Sequence, residues 1–258
     1  MFVYPEFLSP VALELFGFGI RWYSLSYIFG FIYFYFFARQ NLSYFKLNQK
    51  KLDDLFFYMF LAIIIGGRLG YILFYNLEFY LEEPLDIFKV WEGGMSFHGA
   101  LLGVIITSII FSKKKMIPLF LLADLLSICA PIGIFFGRLS NFVNKELIGR
   151  QTDFFISVRY PGEEIFRHIS QIYEAIFEGL LPAIILLILF LRKKLTYGLL
   201  TSFFLINYAL SRFIIEFIRQ PDKQIGLKFD IFSQGQILTI PIAIIGLIIF
   251  YKCQSKQK

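Results

Sequence analysis

About seven runs of apolar residues recur along the chain, near 19–38, 55–75, 94–111, 118–138, 175–191, 197–217 and 234–251. An α-helix rises about 1.5 Å per residue, so roughly twenty apolar residues match a hydrocarbon core of about 30 Å. The pattern predicts an all-α, polytopic membrane protein with about seven transmembrane helices. Its longest connection is residues 139–174, and no internal repeat or separate soluble domain is visible. Residues 1–258 therefore read as one integral membrane domain. The stretches 22–38, 93–112 and 231–251 hold no Asp, Glu, Lys or Arg. The others carry interior charges, namely Arg68, Asp124, Glu178 and the pair Arg212 and Glu216. Ionisable groups are costly inside a span and mark functional sites by default.

Composition agrees with the pattern. Of 258 residues, 57% are hydrophobic and only 17% charged, a balance too apolar for an ordinary soluble domain. The net charge of +6 does not point to nucleic acid, because the basic residues sit in short connections between spans. One alternate set of connections holds Arg39, Lys46, Lys50 and Lys51, then Lys113, Lys114 and Lys115, then Arg192, Lys193 and Lys194, then Lys252, Lys256 and Lys258. On the opposite side, segment 78–92 is acidic, with Glu78, Glu82, Glu83, Asp86 and Glu92. The positive-inside rule then puts the C-terminus in the cytoplasm, and the N-terminus and the long connection outside. Cys129 and Cys253 lie far apart in apolar surroundings and read as packing residues. A metal site is not expected, since neither His98 nor His168 has a second ligand at metal spacing.

The polar residues gather on the outer side. Tyr208, Arg212, Glu216 and Arg219 fall within about 80° of one another on a helical wheel and span about 16 Å of rise. Two arginines against one glutamate leave positive charge over, which favours an anionic ligand. The same stripe also reads as an arginine–glutamate pair satisfied between helices. A second concentration is Gly137-Arg-Leu-Ser-Asn-Phe-Val-Asn-Lys-Glu-Leu-Ile-Gly-Arg150. There Arg138 and Asn141 share a face, and the Asn141 and Asn144 carboxamides offer neutral donors beside an arginine fork suited to phosphate. Its bland alternative is a capped helix end with Gly149 as a turn. His98 lies in Gly93-Gly-Met-Ser-Phe-His-Gly99, where a neutral imidazole serves either as a base or as a packing residue. The glycines around it allow close approach of another backbone or a lipid. Tyr23 stands at the edge of the first span beside Trp22, an interfacial belt residue. Arg68, in Gly66-Gly-Arg68, needs a counter-charge, with Asp124 and Glu178 as the available carboxylates.

As an ordered set, these motifs resemble the bacterial prolipoprotein diacylglyceryl transferases. The matches are Trp22-Tyr23, Gly66-Gly-Arg68, the His98 segment, residues 137–150, and Arg212-Phe-Ile-Ile-Glu-Phe-Ile-Arg-Gln-Pro-Asp222, and the similarity spans nearly the whole chain. The resemblance implies a single transferase domain in the bacterial cytoplasmic membrane, with seven transmembrane helices and a small outward-facing head region. It implies transfer of diacylglycerol from phosphatidylglycerol to the lipobox cysteine of lipoprotein precursor signal peptides, forming a thioether and releasing glycerol phosphate. No metal or cofactor is implied, and membrane lipids surround the site. By the same resemblance Arg138 and Arg212 are the principal functional arginines, joined by Tyr23, His98, Asn141, Glu146, Gly149, Tyr208, Glu216 and Arg219. Two departures from the family pattern are Ile169 where proline commonly follows the second histidine, and a short loop between Arg150 and Arg167.

The chemistry asks for a thiolate, an electrophilic glycerol carbon and a stabilised leaving phosphate. A free thiol has a pKa of about 8.5, so a base or positive field is required. His98 is the expected base, with a tyrosine or water as alternatives. Arg138 and Arg212 are expected to clamp the phosphate, with Glu216 and Glu146 orienting them.

Overall fold

The computed structural model describes residues 1–15, 17–192, 195–221, 227–228 and 232–255. Lys193, Lys194, Lys256 and Lys258 of the basic connections, Asp222 of the last motif and Ile231 lie outside the described residues. Each predicted apolar run is a helix: α1 (Trp22–Gln40), α2 (Gln49–Tyr75), α4 (Phe97–Lys115), α5 (Leu119–Val143), α6 (Ser170–Leu191), α7 (Leu199–Ile215) and α8 (Gln234–Ser255), with a short α3 (Leu77–Glu82) between α2 and α4. Five of them, α2, α4, α5, α6 and α8, are long and apolar enough to cross a membrane. Helix α7 is shorter, at 17 residues. Helix α1 is diluted by Tyr23, Tyr27, Tyr33, Tyr35, two serines and the Arg39-Gln40 end. The protein is thus mainly helical and polytopic.

The chain divides into two compact units, Tyr35–Ala123 and the combination of Met1–Phe34 with Asp124–Lys258. In the first of these, α2 and α4 pack through glycine. A Cβ added at Gly99 would lie 2.2 Å from the Gly66 carbonyl oxygen, and one at Gly66 would lie 2.5 Å from the Gly99 oxygen. Gly70 and Gly103 extend the same seam one turn in each direction, so the backbones touch through a small-xxx-small pattern. The helix before His98 starts cleanly because the Ser96 hydroxyl accepts from Gly99 N at 3.2 Å. Ser96 N donates in turn to the Gly67 carbonyl at 2.8 Å.

Arg68 departs from expectation. Its guanidinium donates to backbone carbonyls of the 86–94 turns: Nε to Ile87 at 2.9 Å, Nη1 to Gly93 at 2.6 Å and Nη2 to Asp86 at 2.5 Å. Neither Asp124 nor Glu178 is its partner. One planar fork thus serves several carbonyl oxygens of the turns after α3, including that of Asp86, which also accepts from Lys89 N at 3.1 Å. Asp124 does comparable work in the larger unit. Its carboxylate accepts from Gly198 N at 2.7 Å, Thr201 N at 2.8 Å and the Thr201 hydroxyl at 2.7 Å, capping the free amides at the start of α7.

The larger unit also carries a small head built from the N-terminus and the 144–169 connection. Strand β1 (Phe2–Val3) pairs in parallel with β4 (Ser157–Arg159), which pairs antiparallel with β5 (Arg167–His168). A separate hairpin joins β2 (Val11–Leu15) to β3 (Phe18–Arg21). Tyr4, Val158, Tyr160 and Ile169 form the head's core, with Phe142 and Tyr173 packed against it. Ile169, which follows His168, is therefore an apolar anchor of this core.

Valine at Gly99 should force α2 and α4 apart, because its Cβ meets a backbone oxygen rather than a movable side chain. The expected cost is about 1–3 kcal/mol, the usual range for overpacking, read as a lower melting temperature in detergent. An unchanged melting temperature would show that the glycine seam does not hold this unit together.

Candidate functional site

Three arginines and three glutamates meet inside the larger unit. Helix α5 brings Arg138, α6 brings Glu174 and Glu178, α7 brings Arg212, and the turns that follow it bring Glu216 and Arg219. Arg138 grips Glu178 Oε2 through Nε at 3.2 Å and Nη2 at 2.9 Å, and its Nη1 lies 3.0 Å from Glu174 Oε2. Arg212 Nη1 donates to Glu174 Oε1, while its Nη2 lies 3.0 Å from Glu216 Oε2. Arg219 Nη1 reaches the same Glu174 oxygen at 3.2 Å. Glu174 thus bridges all three guanidinium groups. The Tyr208 phenol lies within electrostatic range of Arg138, Arg212, Glu174 and Glu178.

Local sequence explains this convergence. The middle of α6, Ala175–Leu180, is a π-helical segment, a rare widened turn that recurs at functional sites. Glu174 immediately precedes it and Glu178 lies within it, and both carboxylates turn to the same side. Gly179 lets α6 touch α5: a Cβ there would lie 2.7 Å from the Phe135 Cα, three residues from Arg138. Behind Glu216 stands Gly235 of α8, where a Cβ would come within 2.9 Å of the carboxylate. Arg219 lies beyond the end of α7, but its amide still donates to the Ile215 carbonyl at 3.1 Å and keeps it on the helical face.

The predicted excess of positive charge is absent from this cluster. The three arginine charges face three carboxylates, and the bland reading of the stripe is correct to that extent. The layers nevertheless differ in access. The side chains of Arg138 and Arg212 are 17% and 12% exposed, whereas Glu174 and Glu178 are both at 0%. The carboxylates are fully buried, while the side chains of Arg138 and Arg212 keep this partial exposure. Such an arrangement presents oriented donors from a low-dielectric setting, which suits an anionic group with charge developing on oxygen.

The other expected residues divide into groups. Asn141 Nδ2 donates to Glu146 Oε2 at 3.0 Å and Asn144 Nδ2 to Glu146 Oε1 at 3.3 Å. These carboxamides therefore serve the glutamate, and Glu146 orients asparagines rather than arginines. Gln171 fixes the Glu146 backbone by donating to its carbonyl at 2.6 Å. Gly149 works through its backbone. It forms an antiparallel bridge with Arg219, flanked by Arg150 N to the Ile218 carbonyl at 2.8 Å and Gln220 N to the Ile148 carbonyl at 3.0 Å. A side chain there would strike the His168 carbonyl, since a Cβ would lie 2.3 Å from it. Tyr23, at the start of α1, is 40% exposed and edge-on to Tyr27. His98 belongs to the other compact unit, in the first turn of α4, with its ring edge-on to Phe97.

In the head, burial pushes the Tyr160 phenol up to about 12 and holds the His168 imidazole below its ordinary value. His168 donates its backbone amide to the Arg150 carbonyl at 3.0 Å, so its backbone helps to brace the 148–150 strand.

Comparison with known proteins gives this arrangement its context. A family model described as prolipoprotein diacylglyceryl transferase matches residues 10–252. A protein of Ehrlichia canis named phosphatidylglycerol–prolipoprotein diacylglyceryl transferase is 45% identical over 244 residues, or 93% of this chain and 94% of its own. Proteins of the same name from Rickettsia bellii and Geobacter sulfurreducens are 43% and 44% identical, covering 97% and 93% of this chain and 98% and 93% of their own. With the motifs in order and the match running almost end to end, the chain belongs to the prolipoprotein diacylglyceryl transferase family.

Proposed function

We propose that this chain transfers the diacylglyceryl group of phosphatidylglycerol to the thiol of a lipobox cysteine in lipoprotein precursors, the first step of bacterial lipoprotein maturation. The observation that carries the reading is the near-complete match to proteins of that name. The partly exposed side chains of Arg138 and Arg212, set beside buried carboxylates, add a chemistry that supports it. In this proposal the two guanidinium groups hold the phosphodiester. The thiolate sulfur attacks the glycerol carbon, the carbon–oxygen bond breaks, and the electron pair leaves on the phosphate oxygen as glycerol phosphate departs. A phosphodiester carries one negative charge and the departing monoester develops a second, so preorganised arginines act most strongly in the transition state. His98 is assigned the thiol proton on the strength of the family resemblance. Tyr23, Tyr208, Asn141, Glu146, Gly149, Glu216 and Arg219 are assigned to the surroundings of the substrate. Both compact units would act as one transferase domain.

The proposed topology has seven spans in the bacterial inner membrane, with the N-terminus and head outside and the C-terminus in the cytoplasm. Support comes from Lys113, Lys114 and Lys115 in the last turn of α4, on the side that the positive-inside rule assigns to the cytoplasm. A donor lipid then approaches from the outer leaflet without its chains crossing water, a step that costs about 0.8 kcal/mol per exposed CH₂.

Incubation of the purified protein with phosphatidylglycerol and a lipobox peptide should raise the peptide mass by one diacylglyceryl group, and an unchanged mass would reject the assignment. Arg138→Ala and Arg212→Ala should each lower transfer by about 100-fold or more, the scale for losing an oriented donor to developing charge. Near-normal rates in both would remove the phosphate clamp. His98→Gln should slow thioether formation and alter the dependence of rate on pH, whereas a slower enzyme with an unchanged profile makes His98 structural. A cysteine replacing Lys114 should react with an impermeant label only from the cytoplasmic side, and labelling from outside would invert the topology.

A further inference from the structure

Glu174 has no assigned part in the chemistry, yet it is the centre of the arginine cluster. Its side chain is at 0% exposure. One oxygen accepts from Arg212 and from Arg219 at 3.2 Å, and the other lies 3.0 Å from Arg138. Three cations from three parts of the chain therefore converge on one carboxylate. The side chains of Arg138, Arg212 and Arg219 are 17%, 12% and 7% exposed, so a ligand reaching the cluster has arginine side chains open to it and not the glutamate. Glu178 is different in kind: it takes a forked grip from Arg138 at 3.2 and 2.9 Å and stands 3.7 Å from Arg212.

We propose that Glu174 is the positioning residue of the clamp, and that its charge keeps the bound lipid's phosphate loosely held while the arginines stay aimed at the leaving group. The inference rests on the transferase reading above. Its physical basis is the balance of three arginines against Glu174, Glu178 and Glu216. A surplus of positive charge would bind the singly charged phosphodiester tightly, and tight ground-state binding adds nothing to turnover. A balanced cluster avoids that trap. It still stabilises the second negative charge as the carbon–oxygen bond breaks, because the donors are already in place and need not reorganise. Removing the Glu174 charge while keeping its shape should therefore move two kinetic constants in opposite directions. The charged groups around it are Arg138 from α5, Glu178 from α6, Arg212 from α7, and Glu216 and Arg219 from the turns after α7, with the Tyr208 phenol also in range.

The test is steady-state kinetics of Glu174→Gln, in detergent with phosphatidylglycerol and a lipobox peptide, beside the unmodified protein and Glu82→Gln. Glu82 is an exposed residue at the end of α3 in the smaller unit, so its variant should match the unmodified protein. For Glu174→Gln, kcat should fall by about 100-fold or more, as when an oriented electrostatic contact is lost. Its KM for phosphatidylglycerol should fall by about threefold or more, and inhibition by glycerol phosphate should tighten likewise, because the cluster gains one net positive charge. A merely structural glutamate would raise KM as it lowered kcat, and that pattern overturns the proposal, as does an unchanged kcat. Where Glu174→Gln does not fold, Glu174→Asp decides. It keeps the charge but shortens the reach, so kcat should fall by about tenfold or more with KM within about twofold of the unmodified value. Retained kcat or a raised KM in that variant overturns the proposal. Absence of transfer by the unmodified protein would instead reject the transferase reading itself.

Discussion

An ionised carboxylate removed from water is tolerated only when it is paired and hydrogen-bonded, and the larger unit is organised around meeting that demand at Glu174. The idealised cost of moving such an ion into a low-dielectric interior is of order 20 kcal/mol, and several kcal/mol remain after relaxation. Arg138, Arg212 and Arg219 meet the demand from α5, α7 and the turns beyond α7. None reaches Glu174 unless the backbones come close. The contact of Gly179 with Phe135 brings α6 onto α5, and Gly235 leaves room beside Glu216. Truncating one partner of a buried pair typically costs about 3–5 kcal/mol, because its partner is stranded. The glycines and the charges therefore depend on each other, and the π-helical turn at Ala175–Leu180 is the local distortion that accompanies them.

Interior charges elsewhere are handled by other means. Arg68 spends its fork on the carbonyls of Asp86, Ile87 and Gly93, and Asp124 spends its oxygens on the amides and hydroxyl at Gly198 and Thr201. Each binds backbone groups of a turn or a helix start, so each acts as a cap there. Among the described residues, only in the glutamate cluster do ions face ions across three helices, with the Arg138 and Arg212 side chains still partly exposed. That difference separates structural charges from those able to meet a ligand, and rarity inside an apolar run does not.

Much of the helical architecture was legible in the hydropathy pattern, since every apolar run became a helix and the glycines near His98 do meet another backbone. The arginines were legible too, as was the shared face of Tyr208, Arg212, Glu216 and Arg219. The hub was not. The apolar run was read from residue 175, whereas α6 begins at Ser170, so Glu174 fell into a loop by one residue. A signal was present: Glu174 and Glu178 are four apart, the spacing that puts two carboxylates on one helical face. Partner choice was also illegible. For Arg68 the sequence offers Asp124 or Glu178 without choosing between them, because it reveals charges but not the carbonyls of a turn. Likewise the sequence offers Asn141 and Asn144 as neutral donors or as part of a capped helix end, and it does not reveal that Glu146 accepts from both.

The head ties residues with no arginine partner to those that have one. Residues 148–150 pair through their backbone with residues 218–220, and Gly149 lies opposite Arg219 in that pairing. Arg219 consequently has its guanidinium on Glu174 and its peptide unit in the head. Asn141, Glu146 and Gln171 fix the other end of the same connection, where the Glu146 backbone is held by Gln171 and its carboxylate by Asn141. The head is thus joined to Arg219 through paired backbone and through side chains, with Arg150 Nε donating to the Arg219 carbonyl at 3.1 Å and Arg167 Nη1 to Gln220 Oε1 at 2.8 Å. Arg219 therefore takes its place at Glu174 from a segment whose backbone is shared with the head, so the carboxylate cluster and the head are built on one backbone-paired element, and neither can be repacked without the other.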